Sequence, residues 1–426
     1  MRRNFSTLSA AILLLVAAGR AFAGEPVSLE AALREARNAN AHLPLPAFDI
    51  NIASEKEKEA RAEMWLKVAL EGDFVYAPPG YAEPLTNLGN ARLQAVVRQP
   101  IYAGGSLKAG VARAGAGVEA ARGRYRMIEM DLELEVRSRF SELLQIDSEI
   151  AIRRTGLEEL ETYRSSLRSR QASGQGIAAD LLKTEVRLAL EEATLADTEQ
   201  RRDDARLSLN ELMGRDPTGP LELVPLPLPG APSAGDPAAW QNAPDVRVAE
   251  ASARSAEADT IIAKAETRPR LVFLGDAGFW TDDTTHPGSS QFWDRFWRNA
   301  GYSFALGFVW NVWDPGAARA RIAEASLGLQ QSRLALEVGR RDARLAWEKA
   351  HTALAHLYKQ IEILSRAVPD ARDSYLDAQS RYRGGAASAL EVLDAHSAAM
   401  EAAVRRSETI ARYRVADAVA LRWSTP

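Results

Sequence analysis

The residues of this chain that could do specific chemistry are its histidines, its glycine clusters and its acids. There are five histidines: His42, His286, His351, His356 and His396. A helical metal pair needs two of them at i,i+4 with an acid close by, and none has that spacing; His351 and His356, five apart, face different ways on a helix. Gly104 to Gly110 lacks the Gly-Lys-Ser/Thr of a phosphate-binding loop. No nucleophile elbow and no pair of carboxylates with catalytic spacing is present, so no metal, no cofactor and no enzymatic activity is expected. One pattern of charge and glycine does stand out. In "RQASGQGIAADLLKT" it is Arg170, Gly174, Asp180, Leu181 and Leu182; in "RYRGGAASALEVLDA", 211 residues later, it is Arg381, Gly385, Glu391, Val392 and Leu393.

The elements around those acids are helices, and the glycines interrupt them. A glycine in a helix interior costs about 1 kcal/mol relative to alanine, but it readily takes the left-handed conformation that ends a helix. Each break therefore predicts an αα-hairpin turn. The offset of 211 also carries Gly105 onto Gly316, Gly117 onto Gly328, Asp131 onto Asp342 and Ala205 onto Ala416, so the chain is a duplicated unit. Upstream the offset is 203, Gly72 onto Gly275 and Asp73 onto Asp276, which puts a length change in an intervening loop.

The first repeat spans residues 24–213, with a long helix near 105–173, a tip turn at 174–177 containing Gly174 and Gly176, and a returning helix at 178–213. The second spans 240–426, with a long helix near 316–383, a tip turn at 384–387 containing Gly384 and Gly385, and a returning helix at 388–423. A helix as long as 105–173 would measure roughly 100 Å. A further helix precedes each repeat's apolar segment, Ala47 to Leu66 and Pro244 to Thr267. Leu182, Val186, Ala189, Ala193 and Ala196 form a heptad stripe for coiled-coil packing. Between the repeats, residues 214–239 form a proline-rich linker that can be neither helix nor central strand.

Four segments alternate with period two: about 68–77, 91–102, 270–281 and 300–313. In the last, Tyr302, Phe304, Leu306, Phe308, Trp310 and Val312 alternate with Ser303, Ala305, Gly307, Val309 and Asn311. Val68, Leu70, Phe74 and Tyr76 alternate with Glu71 and Asp73, and Leu93, Ala95 and Val97 with Arg92, Gln94 and Arg98. Leu271, Phe273, Ala277 and Phe279 alternate with Asp276, and five tryptophans (Trp280, Trp293, Trp297, Trp310 and Trp313) cluster near the ends of one hairpin. Apolar outside, polar inside, with aromatics at the ends, is the pattern of an outer-membrane barrel strand. Four strands cannot close a barrel and open edges are not tolerated in hydrocarbon, so the chain must oligomerise.

The N-terminus fits export. Arg2 and Arg3, an apolar run from Leu8 to Ala18 and Ala21-Phe22-Ala23 read as a signal peptide over residues 1–23. Its removal takes away three arginines and leaves a net charge of −7, against a nucleic-acid surface. The sequence has no cysteine, hence no disulfide, thiolate metal site or lipid-carrying cysteine.

The tandem repeat, "RQPIYAGGS" leading from strand to helix, "NVWDPGAAR" at the equivalent place and the two glycine breaks resemble the TolC-type outer-membrane efflux proteins. That resemblance implies a mixed α/β membrane protein: long α-helical coiled-coil hairpins forming a periplasmic α-barrel, and four β-strands per protomer in a trimeric 12-stranded outer-membrane barrel. It implies a homotrimer in outer-membrane lipid that docks a periplasmic adaptor and an inner-membrane pump of RND, ABC or MFS type, with the barrel alone as anchor. Asp180 and Tyr382 correspond to a gate link at the periplasmic tip, and Glu391 and Asp394 to acidic rings at the pore entrance. Ala387 stands where some relatives carry a gate arginine, leaving open whether Arg381 or Arg383 replaces it. The competing reading is a periplasmic coiled-coil structural or adhesion protein, which would have no use for the four strands.

Overall fold

The computed structural model describes residues 26–39, 43–76, 89–173, 177–233, 235–281, 290–314 and 316–424. The expected signal peptide, the tip glycines Gly174 and Gly176, and His42 and His286 lie outside them. The elements are α1 (Leu29–Ala39), α2 (Pro44–Ala62), β1 (Lys67–Tyr76), β2 (Gly89–Ala103), α3 (Ser106–Ala172), α4 (Ala178–Leu212), a 3-10 turn (Ala239–Asn242), α5 (Pro244–Ala265), β3 (Arg270–Thr281), α6 (Ser290–Arg298), β4 (Ala300–Val309), α7 (Ala317–Arg383) and α8 (Ala389–Ser424). Two compact units share them: Met1–Leu45, Arg126–Pro244 and Arg340–Pro426 form one, and Pro46–Tyr125 with Asp245–Gly339 the other.

The second unit contains an antiparallel sheet of order β1-β2-β3-β4. Its register aligns the apolar faces of all four strands. Val68 pairs with Val97 and Leu70 with Ala95; Val97 then faces Gly275 and Leu93 faces Phe279, and Gly275 and Phe273 face Phe304 and Leu306. Directly paired residues share a face, so one side collects Val68, Leu70, Val97, Phe273, Phe304 and Leu306. The other side holds Glu71–Arg98 at 2.9 Å and Asp73–Arg92 at 3.4 Å as cross-strand ion pairs. A one-residue slip would have thrown these charges onto the apolar side. That side is open: Leu70 is 74 % and Phe304 70 % exposed.

Two expectations need correction here, and one element was not foreseen. β4 ends at Val309, four residues short of Trp313, because its partner strand begins at Arg270, opposite Val309, and nothing remains to pair with residues 310–313. Trp310 instead donates its indole N–H to the Thr267 carbonyl at 3.1 Å. The helix before β1 is Pro44–Ala62 rather than Ala47 to Leu66, since Pro44 takes a first-turn position where no N–H is needed. Trp293 and Trp297 lie near the end of the β3–β4 hairpin, on α6, a helix the strand alternation did not reveal.

The first unit is built from two helical hairpins with separate cores. In the first, Val136, Phe140 and Leu143 of α3 meet Ala205 and Leu209 of α4, with Ala32 and Ala36 of α1 and Leu221 of the linker completing the cluster. Ion pairs lace its two helices, Asp147–Arg202 at 2.6 Å, Arg154–Glu199 at 2.7 Å and Arg168–Glu185 at 2.8 Å. In the second, Leu354 and Ile361 of α7 pack on Ile410 and Tyr413 of α8. The linker is an ordered strap across both. On its first half the Val27 N–H donates to the Glu222 carbonyl and the Val224 N–H to the Val27 carbonyl, and Arg206 donates to the carbonyls of Thr218 and Gly219. On its second half Tyr413 donates to Gly230 and Arg414 to Leu226.

Candidate functional site

The site lies where the two hairpins turn. On α7 the helix ends in a six-residue backbone motif: the Ala386 N–H returns to the Arg381 carbonyl at 2.8 Å and the Gly385 N–H to Tyr382 at 3.1 Å. Gly385 holds φ +78°, a left-handed value that glycine adopts without penalty, which is why a glycine stands here. Gly384 has no such demand. The next helix is capped by Ser388, whose Oγ accepts the Glu391 N–H at 3.2 Å. The first hairpin restarts differently, at Ile177, whose side chain makes no capping bond. Serine replaced by isoleucine thus distinguishes the two tips.

A third core joins the hairpins just behind these turns. Leu160, Tyr163, Leu167 and Leu188 of the first pack on Tyr375, Ala378, Val392 and Leu393 of the second. The Tyr163 ring meets that of Tyr382 edge-on at 5.5 Å. Burial, with Tyr382 and Asp180 close by, pushes the Tyr163 hydroxyl well above the usual phenol range.

The predicted link is present but long. The Tyr382 hydroxyl lies 3.5 Å from Asp180 Oδ2, at the outer limit of a hydrogen bond. A stronger connection comes from a residue whose role the sequence did not reveal. Arg170, at the end of α3, donates to the Tyr382 carbonyl at 3.2 Å, and its guanidinium stands 5.2 Å from the centre of the Tyr382 ring. The signal was available, since Arg170 is the first-repeat counterpart of Arg381. Neither arginine considered as a replacement crosses between hairpins: Arg381 is bonded to Asp377 at 2.8 Å and to Glu391, and Arg383 to Gln379 at 3.0 Å.

The two acids expected at an entrance also differ. Glu391 is neutralised locally by Arg381. Asp394 is exposed, and no ion pair is recorded for it among the described residues. Between hairpins further along, Arg372 pairs with Glu159, Arg187 bonds to Ser397, and buried His396 places Nε2 3.1 Å from the Gly156 carbonyl. Tyr375 abuts the His396 ring edge-on at 5.1 Å. Desolvation lowers the His396 pKa, with Glu159 opposing it. His351 stacks on Trp347 at 3.9 Å and serves packing. Taken together, the tip is a set of noncovalent ties between two hairpins.

Comparison with known proteins fits this architecture. A family model described as outer membrane efflux protein matches residues 28–215 and 237–422, one segment on each repeat. The chain is 26 % identical over 286 residues to the pyoverdine export outer membrane protein OpmQ of Pseudomonas putida, a match covering 65 % of this chain and 58 % of that relative. It spans less than two thirds of the length of such curated relatives. The fold resembles that of the outer-membrane channel OprN, with a TM-score of 0.82 at 21 % identity over 93 % of this chain and 89 % of the other. It also resembles the outer membrane protein VceC of Vibrio cholerae, with a TM-score of 0.81 at 17 % identity over 93 % and 96 % of the two chains.

Proposed function

The chain belongs to the outer membrane efflux protein family, and from that premise we propose that it is the outer-membrane exit duct of an efflux or type I secretion system. One observation carries the reading. A four-stranded sheet exposes large apolar side chains on one face, pairs charges on the other, and leaves β1 and β4 as edges. Hydrocarbon tolerates the apolar face but not the edges, so β4 of one copy pairs with β1 of the next until the sheet closes. Three copies give a 12-stranded barrel, the number favoured by the family.

The helical hairpins then extend into the periplasm of a Gram-negative cell, their tips facing a periplasmic adaptor and an inner-membrane pump of RND, ABC or MFS type. Asp180, Tyr382 and the tip turns at Gly174, Gly176, Gly384 and Gly385 act as the gate, and Glu391 and Asp394 line its mouth. The name of the relatives, pyoverdine export, points to a secreted small molecule as cargo. Membrane fractionation with gel analysis of unheated samples tests the reading: a heat-resistant trimer in outer-membrane fractions supports it. A monomer in the soluble periplasmic fraction overturns it.

A further inference from the structure

Helix α6 connects β3 to β4, and where it packs has a consequence for the membrane. The sheet ends at Lys67, Ala103, Arg270 and Val309 lead to helices α2, α3, α5 and α7, so Tyr76, Gly89, Thr281 and Ala300 mark the opposite end. α6 packs at that opposite end. Phe292, fully buried, and Phe296, 4 % exposed, sit on Ala91, with Leu93 and Phe279 around them. Phe74 meets Phe292 edge-on at 6.2 Å and stacks on Trp293 at 6.4 Å. The register places Phe74, Ala91, Leu93 and Phe279 on the same face as Leu70 and Phe304. The helix therefore lies on the outer, apolar wall and not on the charged side.

The remaining side chains of α6 divide into two flanks. At 100° per residue, Trp293 and Trp297 fall together on one side of the buried Phe292–Phe296 line, and Arg295 falls on the other with Arg298 beyond it. Both tryptophans are exposed, and Trp297 also contacts the Phe279 ring at 5.3 Å. Arg298 is paired with Asp294 at 3.0 Å, and with Arg295 the helix carries two cations against one anion in a chain that is acidic as a whole. Packed phenylalanines, an exposed indole flank and a cationic flank are what an interfacial helix presents to a lipid surface.

We propose that α6 is an interfacial helix lying on the barrel wall at the outer leaflet, with Trp293 and Trp297 among the upper acyl chains and Arg295 and Arg298 against lipid phosphates. This rests on the exit-duct reading, which makes the apolar face the lipid face.

The absence of native cysteine makes the test direct. Trp297→Cys, Phe304→Cys and Lys58→Cys are made in the full chain, spin-labelled, and reconstituted as trimers in vesicles containing lipid A. Collision with oxygen and with a nickel chelate then reports depth. The label at 304 is expected to collide mainly with oxygen and that at 58 mainly with nickel. The label at 297 should give an oxygen-to-nickel ratio several-fold above that at 58. A water-like 297 beside a lipid-like 304 overturns the proposal and leaves the duct standing. Water-like values at both sink the duct reading itself, while shielding of 297 from both reagents would mean that a second copy covers it. Arg295→Gln with Arg298→Gln should abolish any rise in trimer melting temperature between neutral phospholipid and lipid A vesicles; an undiminished rise removes the phosphate contact.

Discussion

The Arg170 guanidinium grips Tyr382 twice, through its backbone carbonyl at 3.2 Å and over its ring at 5.2 Å. A hydrogen bond involving a charged group contributes about 1.5 to 3 kcal/mol; the Arg170 bond is shorter than the 3.5 Å contact between Tyr382 and Asp180 and is joined by the ring contact, which ranks it as the stronger tie. Arg170→Met should raise single-channel conductance and sensitise the host to large antibiotics, with Arg170→Lys intermediate because lysine keeps the charge without the planar fork. Conductance at the wild-type level in Arg170→Met would mean that the closed tip does not depend on this residue.

Tyr382→Phe follows as the weaker change. It removes only the hydroxyl and leaves the ring for Arg170 and Tyr163. The expected outcome is a small conductance increase, below that of Arg170→Met and equal to that of Asp180→Asn. If Tyr382→Phe opens the channel more than Arg170→Met, the ranking of the two ties is reversed.

Ion selectivity should respond unequally to the two acids. Arg381 already offsets Glu391, so Asp394 supplies more of the negative field at a narrow mouth. Asp394→Asn is expected to cut cation preference in planar-bilayer recordings, and Glu391→Gln to lower it by leaving Arg381 with Asp377 alone. Selectivity unchanged in the double variant would place both side chains outside the lumen.

The packing behind the tip should loosen in acid. With Nε2 donating to Gly156, the buried Nδ1 of His396 has no partner, and protonation would put an unsatisfied charge there. The groups facing it are Glu159 and Gly156 of α3, Arg187 and Glu191 of α4, and Tyr375 of α7, with Arg372 of α7 paired to Glu159. Glu159 attracts the extra charge, but desolvation prevails and the pKa in the packed state is lowered. A lowered histidine pKa favours the packed state fully above the free value near 6.5, and that advantage shrinks as pH falls below it. Hydrogen exchange around Gly156 should therefore accelerate between pH 7.5 and 5.5 in the wild type and not in His396→Gln. Equal acceleration in both would exclude the histidine.

Charge on the apolar wall should be costly. Phe304→Arg with Phe308→Arg puts cations in hydrocarbon at about 2 to 4 kcal/mol each near the midplane. Trimer yield in the outer membrane should collapse, and normal assembly would place these side chains elsewhere.

The sequence alone determined what depends on periodicity and on the conformational range of single residues. Two-residue alternation located four strands and which side of each is apolar, because a pleat sends successive side chains to opposite faces. The glycine breaks and the constant repeat offset located the hairpins, since only glycine enters the left-handed turn at Gly385 without strain. Tertiary structure decided what depends on elements distant in sequence. Arg170 and Arg381 occupy equivalent places, yet one crosses to the other hairpin and the other folds back on Glu391. Part of the difference is local, since Asp377 stands four residues before Arg381 where Ser166 stands before Arg170; that Arg170 then reaches Tyr382 rests on which neighbour lies within range of a long side chain. For the same reason the aromatic content of α6 was legible while its place on the sheet was not: Phe292 finds Ala91 and Phe74 only once β1, β2 and β3 are in register.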